Sequence, residues 1–100
     1  MQSWKLDQIS GSTPEVRDYC RQIYYFFTRI PDYEYFHLSP RGGKTPGTYR
    51  RFHNKIREIS KRYPNDVLTL QYTFKKSENE PTEIRIIEYK NGTDRMIRTE

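Results

Sequence analysis

Apolar side chains recur at the spacing of an α-helix in two segments of the chain, and helix-boundary residues flank each segment. In the first segment, Pro14 suits an opening turn and Pro31 disfavours helical geometry at the residue before it, so the pattern predicts a helix over 14–29. Ser12 and Thr13 are candidate N-caps. The apolar stripe consists of Val16, Tyr19, Cys20, Ile23, Phe26, Phe27 and Ile30. Such a stripe would pack one side of the helix against a core.

The second segment repeats this arrangement and predicts a helix over 46–62. Thr45 is its candidate cap, Pro46 occupies the first position and Pro64 follows the end. The apolar stripe consists of Tyr49, Phe52, Ile56, Ile59 and Tyr63. This helix is therefore also amphipathic, and it needs a surface on which to bury its aromatic side.

After the second helix, the apolar pattern changes to the period of two that is typical of β-strands. Alternating positions predict strands over 67–74 and 83–90. The dipeptide Asn91-Gly92 is a strong signal for a two-residue hairpin, and it predicts a third strand over 93–98. The three strands would form an antiparallel meander.

Two amphipathic helices and a meander predict an α+β fold in which both helices pack on one face of the sheet. The 100 residues suit a single domain, 1–100. Residues 33–38 can form a short extra strand, and whether they join the sheet stays open. Residues 39–47 hold three glycines and two prolines, which predicts an exposed loop. A winged-helix-like arrangement, with the hairpin beside the second helix, is compatible with this architecture.

The amino-acid composition limits the classes of protein to which this sequence can belong. Hydrophobic residues make up 33% of the chain and aromatic residues 15%, so we expect a thin core in which rings provide much of the burial. One cysteine and two histidines favour neither a disulfide nor a metal site, and no motif indicates a cofactor. No apolar run is long enough for a membrane span or a secretory signal. We therefore expect a cytoplasmic or nuclear protein without a membrane partner.

The positive charge is concentrated in one part of the chain. The net charge is +5, yet residues 1–40 and 63–100 each carry one more acidic than basic group. Residues 41–62 hold eight basic side chains and a single acid, Glu58, which amounts to +7. A surface that needs only solubility scatters its charges, whereas a concentrated set attracts a polyanion.

The geometry of an α-helix separates the two faces of the second helix. With Phe52 at 0° and 100° per residue, the apolar stripe spans roughly −20° to +60°, and the cations lie at roughly 140–180° and 260–300°. Asn54 lies between them, and its amide could meet a base edge. The candidate nucleic-acid-binding residues are Arg41, Lys44, Arg50, Arg51, Asn54, Lys55, Arg57, Lys61 and Arg62. We interpret them as a surface for the phosphates of DNA or RNA in a small non-enzymatic protein.

Two other functions stay open. A regulator or viral-type inhibitor that grips an acidic protein surface would use the same Arg and Tyr chemistry. A small metal-independent ribonuclease would need a general base and a cation beside the phosphate, and the sequence offers such groups in His37, Tyr49, Arg50, His53, Arg57 and Glu58. His53 falls at the boundary of the two helix faces, where a structural role is the alternative.

Overall fold

Two helices and four strands follow one another along residues 3–29, 46–75, 79 and 81–99, the part of the chain that our computed structural model describes. In chain order they are β1 (Ser3–Gly11), α1 (Pro14–Arg29), α2 (Pro46–Arg62), β2 (Leu68–Lys75), β3 (Glu83–Lys90) and β4 (Thr93–Thr99). The two predicted helices and the predicted meander are confirmed. The segment 33–38 and the loop positions 39–45, with Arg41 and Lys44, lie outside the described residues.

The sheet is antiparallel with the order β1-β2-β3-β4. The strand that it adds to the predicted three-stranded meander is β1, which comes from the N-terminal residues of the chain. Sequence analysis missed β1, and its pairing with β2 shows why. The register shifts between Leu6 and Gln8, because Asp7 has no paired residue on β2. As a result, the inward-facing residues Trp4 and Leu6 are two positions apart, but the next one, Ile9, follows Leu6 by three positions. This bulge hides the period of two that would have indicated a strand. The α+β class is confirmed, with a larger sheet than the pattern predicted.

Both helices pack on one face of this sheet. Alternate residues of β2 and β3 share a single core cluster with side chains from α1, α2 and β1. The buried hydrophobic residues are Trp4, Ile9, Val16, Cys20, Ile23, Tyr24, Phe52, Ile56, Ile59, Leu68, Leu70, Tyr72, Ile87 and Tyr89. Five of these 14 residues are Trp, Tyr or Phe, as the composition suggested. Among the described residues, neither helix has the length and apolar character needed to cross a bilayer.

The caps and the stripe of α1 follow the predicted pattern with two differences. Thr13 is the N-cap, because the Val16 amide donates to its hydroxyl oxygen at 3.3 Å. Within the stripe, Phe26 is 63% exposed and Tyr19 is 41% exposed, while Tyr24 is buried in their place. The buried arc of α1 is therefore rotated toward Tyr24, whose ring lies 5.3 Å from that of Trp4 on β1.

The turn between β3 and β4 is fastened to α2. Asn91 and Gly92 both have positive φ, 48° and 82°, as the predicted two-residue hairpin requires. The Gly92 amide donates to the Ser60 hydroxyl at 2.9 Å. A Cβ at Gly92 would lie 2.9 Å from Cγ of Lys61, so the hairpin approaches the helix closely at this point. The hairpin thus sits directly beside the helix that carries the basic cluster.

Candidate nucleic-acid interface

Helix α2 is anchored by its apolar side and turns its basic side outward. Phe52, Ile56 and Ile59 are each 0% exposed. A helix held in this way presents its opposite side with little freedom to rotate. The exposed residues on that side are Arg50, Arg51, Asn54, Arg57, Glu58, Lys61 and Arg62. Seven of the nine candidate residues lie on this helix, and of these Lys55 alone is half-buried.

Two of the six cations on α2 have acidic partners among the described residues. Lys55 Nζ lies 3.4 Å from Glu58 Oε2 on the same helix. Arg57 Nε lies 3.3 Å from Asp94 Oδ1 on β4, and it donates to the Gly92 carbonyl oxygen at 3.3 Å. Arg57 therefore ties α2 to the hairpin, a role that the pattern of charges did not reveal.

The other four cations of α2 have no acidic partner among the described residues. No described carboxylate lies within 4.0 Å of Arg50, Arg51, Lys61 or Arg62. We define these four side chains as the open cations. Since no carboxylate among the described residues neutralises them, their potential is directed to solvent.

A shallow concavity of about 190 Å³ lies between α2 and the hairpin turn. Its lining combines three hydrogen-bonding chemistries: an amide, a carboxylate and two cations. The lining residues are Asn54, Arg57, Glu58, Lys61 and Gly92. A phosphate alone would be repelled by Glu58, whereas a group with both donors and acceptors could use the whole lining.

His53 is held by a chain of side-chain contacts beneath this surface. Its Nδ1 lies 2.7 Å from the Tyr89 hydroxyl, which lies 2.5 Å from the hydroxyl of Tyr72. Its Nε2 lies 3.6 Å from Asp94 Oδ2. When Tyr72 donates to Tyr89 and Tyr89 donates to Nδ1, the ring proton resides on Nε2 and faces Asp94. Nδ1 of His53 is thus hydrogen-bonded within the fold, and Nε2 faces the Asp94 carboxylate.

The surroundings of this network shift the pKa values of its members. Burial lowers the pKa of His53 below its ordinary value; the Asp94 carboxylate opposes that change and the Arg57 guanidinium adds to it. Burial also raises the pKa of Tyr89 and of Tyr72, so both phenols stay neutral and keep their protons for hydrogen bonding. The network is a neutral, hydrogen-bonded bridge from β2 through β3 to α2, and its geometry favours a structural role for His53.

Asp94 is the site residue that sequence analysis missed. It follows the hairpin turn at a strand position, and it lies 37 positions after Arg57 in the chain. Pairing of β3 with β4 places it opposite Tyr89, and from there it reaches both His53 and Arg57. No local spacing indicates such a contact, because the packing of the hairpin on α2 creates it.

The stability of the fold should fall in mild acid because of His53. Unfolding exposes the ring and returns its pKa to about 6.5. The unfolded chain therefore takes up a proton more readily than the folded one, so the free energy of unfolding decreases as pH falls from about 6.5 through the lowered pKa. Urea titrations at pH 7.5 and 5.5 should show this decrease. His53→Gln should reduce it, and an equal decrease in both proteins would contradict the assignment.

The described residues contain no group of three His, Cys, Asp or Glu side chains that could hold a metal ion. Comparison with known proteins finds no matching family model, no matching curated protein and no matching solved structure.

Proposed function

We propose that the protein binds nucleic acid through the outward face of α2 and catalyses no reaction. The observation that carries this proposal is the set of open cations, Arg50, Arg51, Lys61 and Arg62, on one anchored helix. Concentrating four exposed charges of one sign on one element builds a focused positive potential that solubility does not require. A phosphate backbone offers the matching array of negative charge, and its counterions are released when cations replace them.

The geometry around His53 supports a binding role over ribonuclease activity. A general base must accept the 2′-hydroxyl proton on a free ring nitrogen. The two nitrogens of His53 face Tyr89 and Asp94. Glu58, the other candidate on α2, is placed by helical geometry about 140° around the helix from His53, so these two groups do not converge on one phosphate. His37 lies outside the described residues.

The experiment is a titration of fluorescently labelled duplex DNA, single-stranded DNA and RNA with the full chain at 50, 100 and 200 mM salt. Four phosphate contacts predict a slope of log K against log salt of about −3.6 on duplex DNA, or roughly a 100-fold loss of affinity across this range. Absence of binding to all three probes at 50 mM salt would contradict the proposal.

A polyglutamate peptide of similar charge serves as the control polyanion in the same titration. We expect it to bind more weakly than the tightest nucleic acid at each salt concentration, because its carboxylates lack the spacing and rigidity of a phosphate backbone. Equal or tighter binding of polyglutamate would support instead the alternative in which the basic face grips an acidic protein surface.

A further inference from the structure

The exposed face of α2 has a central ridge with a row of cations on each side. Helical geometry places Asn54 at roughly 200° and Glu58 at roughly 240°, in the gap between the two rows. Both side chains are exposed. The rows that flank them are Arg50, Arg57 and Lys61 on one side, and Arg51, Lys55 and Arg62 on the other. The uncharged and acidic residues are thus centred on the face, with the cations at its edges.

The width of an α-helix and the two rows of cations on α2 match the major groove of B-form DNA. A helix with its side chains is about 10–12 Å across, and the groove is about 12 Å wide with a phosphate strand along each edge. A helix inserted by its central ridge would turn one row of cations toward each strand. Asn54 and Glu58 are about 6 Å apart along the helix axis, which corresponds to roughly two base pairs at about 3.4 Å each.

The chemistry of the ridge suits base edges better than phosphates. An asparagine amide pairs with N6 and N7 of adenine, and a glutamate carboxylate accepts from N4 of cytosine. The described residues provide no hydrogen-bond partner for the Asn54 side chain. Glu58 is 65% exposed, and its contact with Lys55 is a surface ion pair that water screens strongly. Both groups are therefore available to a ligand.

A carboxylate in the middle of a surface that only held phosphates would weaken binding by repulsion. Glu58 lines the concavity beside Asn54, Arg57 and Lys61, where any bound phosphate would be close to it. The exocyclic amine of a base, in contrast, would donate a hydrogen bond to the Glu58 carboxylate. The position of Glu58 is thus the observation that favours base contacts at the centre of the face.

We propose that α2 enters the major groove of double-stranded DNA, where Asn54 contacts an adenine and Glu58 contacts a cytosine about two base pairs away. This inference rests on the proposed nucleic-acid binding and specifies its substrate. The hairpin turn, held against α2 by Arg57 and Ser60, then stands beside the row of Arg50, Arg57 and Lys61. Duplex RNA is excluded as the preferred ligand, because side chains cannot reach the bases in its deep and narrow major groove.

The test begins with selection of bound duplexes from a randomised DNA library by the full chain, followed by titration of the selected duplex and its single-base variants. We expect an adenine and a cytosine to be enriched about two base pairs apart. Replacing either base should lower affinity roughly tenfold, within the range for one good base contact. The same sequence as duplex RNA should bind at least tenfold more weakly.

Two variants with matched controls assign the contacts. Asn54→Ala should abolish the preference for adenine and leave the preference for cytosine unchanged. Glu58→Ala should abolish the preference for cytosine and raise the affinity for every other duplex, because a negative charge is removed. The controls Gln22→Ala and Glu15→Ala change the same kinds of side chain on the exposed part of α1, and they should leave base preference unchanged. Thermal unfolding of each variant verifies that it is folded.

The outcomes separate this inference from the proposal on which it rests. Salt-dependent binding without base preference, or a preference unchanged in both variants, would overturn the inference and leave nucleic-acid binding intact. Equal affinity for duplex RNA would likewise overturn insertion into the major groove. Absence of binding to any nucleic acid at 50 mM salt would overturn both.

Discussion

Replacing Trp4 with alanine should destabilise the fold by about 3–5 kcal/mol, as removal of a buried aromatic side chain does in other cores. Trp4 is 2% exposed. Its ring centroid lies 5.3 to 6.1 Å from those of Tyr24, Tyr49, Phe52 and Tyr72, which come from both helices and from β2. The loss would be a large fraction of the roughly 5–15 kcal/mol that is typical of a small domain, so much of the protein should be unfolded in mild denaturant.

Urea denaturation followed by circular dichroism measures this effect. The control is Phe26→Ala, because Phe26 is 63% exposed on α1 and its removal should change the free energy of unfolding by no more than about 0.5 kcal/mol. A loss below about 1 kcal/mol for Trp4→Ala would contradict the placement of β1, since Trp4 enters the core only if the N-terminal strand pairs with β2.

The triple replacement of Arg50, Arg51 and Arg62 by alanine should lower affinity for duplex DNA on the order of 100-fold at 100 mM salt. Each residue is exposed, and none has a described carboxylate within 4.0 Å, so the fold loses no ion pair among the described residues. The slope of log K against log salt should become shallower by about 3, roughly one for each phosphate contact removed. Arg57 is left in place because it also holds the hairpin.

The matched control replaces Lys5, Arg21 and Lys75 by alanine. It removes three positive charges from exposed positions on β1, α1 and β2. Lys5 and Arg21 lie in surface ion pairs with Asp7 and Asp18, whose loss should change stability little. We expect this variant to keep affinity within about threefold and to keep the salt slope, because long-range attraction falls off within roughly 10 Å at 0.1 M salt. Equal losses in the two triple variants would show that net charge, rather than the face of α2, determines binding.

The helices and the hairpin could be predicted because their signals are local. Within the described residues, both helices occupy the predicted ranges, in which a proline stands at the first position and another proline follows the last position by two residues. Asn91 and Gly92 adopt positive φ angles, which glycine tolerates because it has no Cβ and asparagine because its short side chain can hydrogen-bond locally. In each of these cases, the residues that determine the structure lie within a few positions of the structure they form.

Strand β1 could not be predicted in the same way. Its bulge at Asp7 breaks the alternation of Trp4, Leu6 and Ile9, and the partner that makes the bulge favourable lies on β2, more than 60 positions away. The exposure of Phe26 has a similar origin. Its helical angle suits a core, yet the surface of the sheet meets α1 at Tyr24 instead.

In the candidate site, too, some features follow from the local sequence and others from tertiary packing. The sequence by itself determined that the excess charge lies between 41 and 62 and that α2 separates cations from aromatic residues, because the period of a helix follows from backbone geometry alone. Only the tertiary structure decided which cations are open. Packing brings Asp94 to Arg57 and His53, and it leaves Arg50, Arg51, Lys61 and Arg62 without a described acidic partner. Charge pairing between distant segments depends on how the hairpin docks on the helix, and that docking is a property of the whole fold.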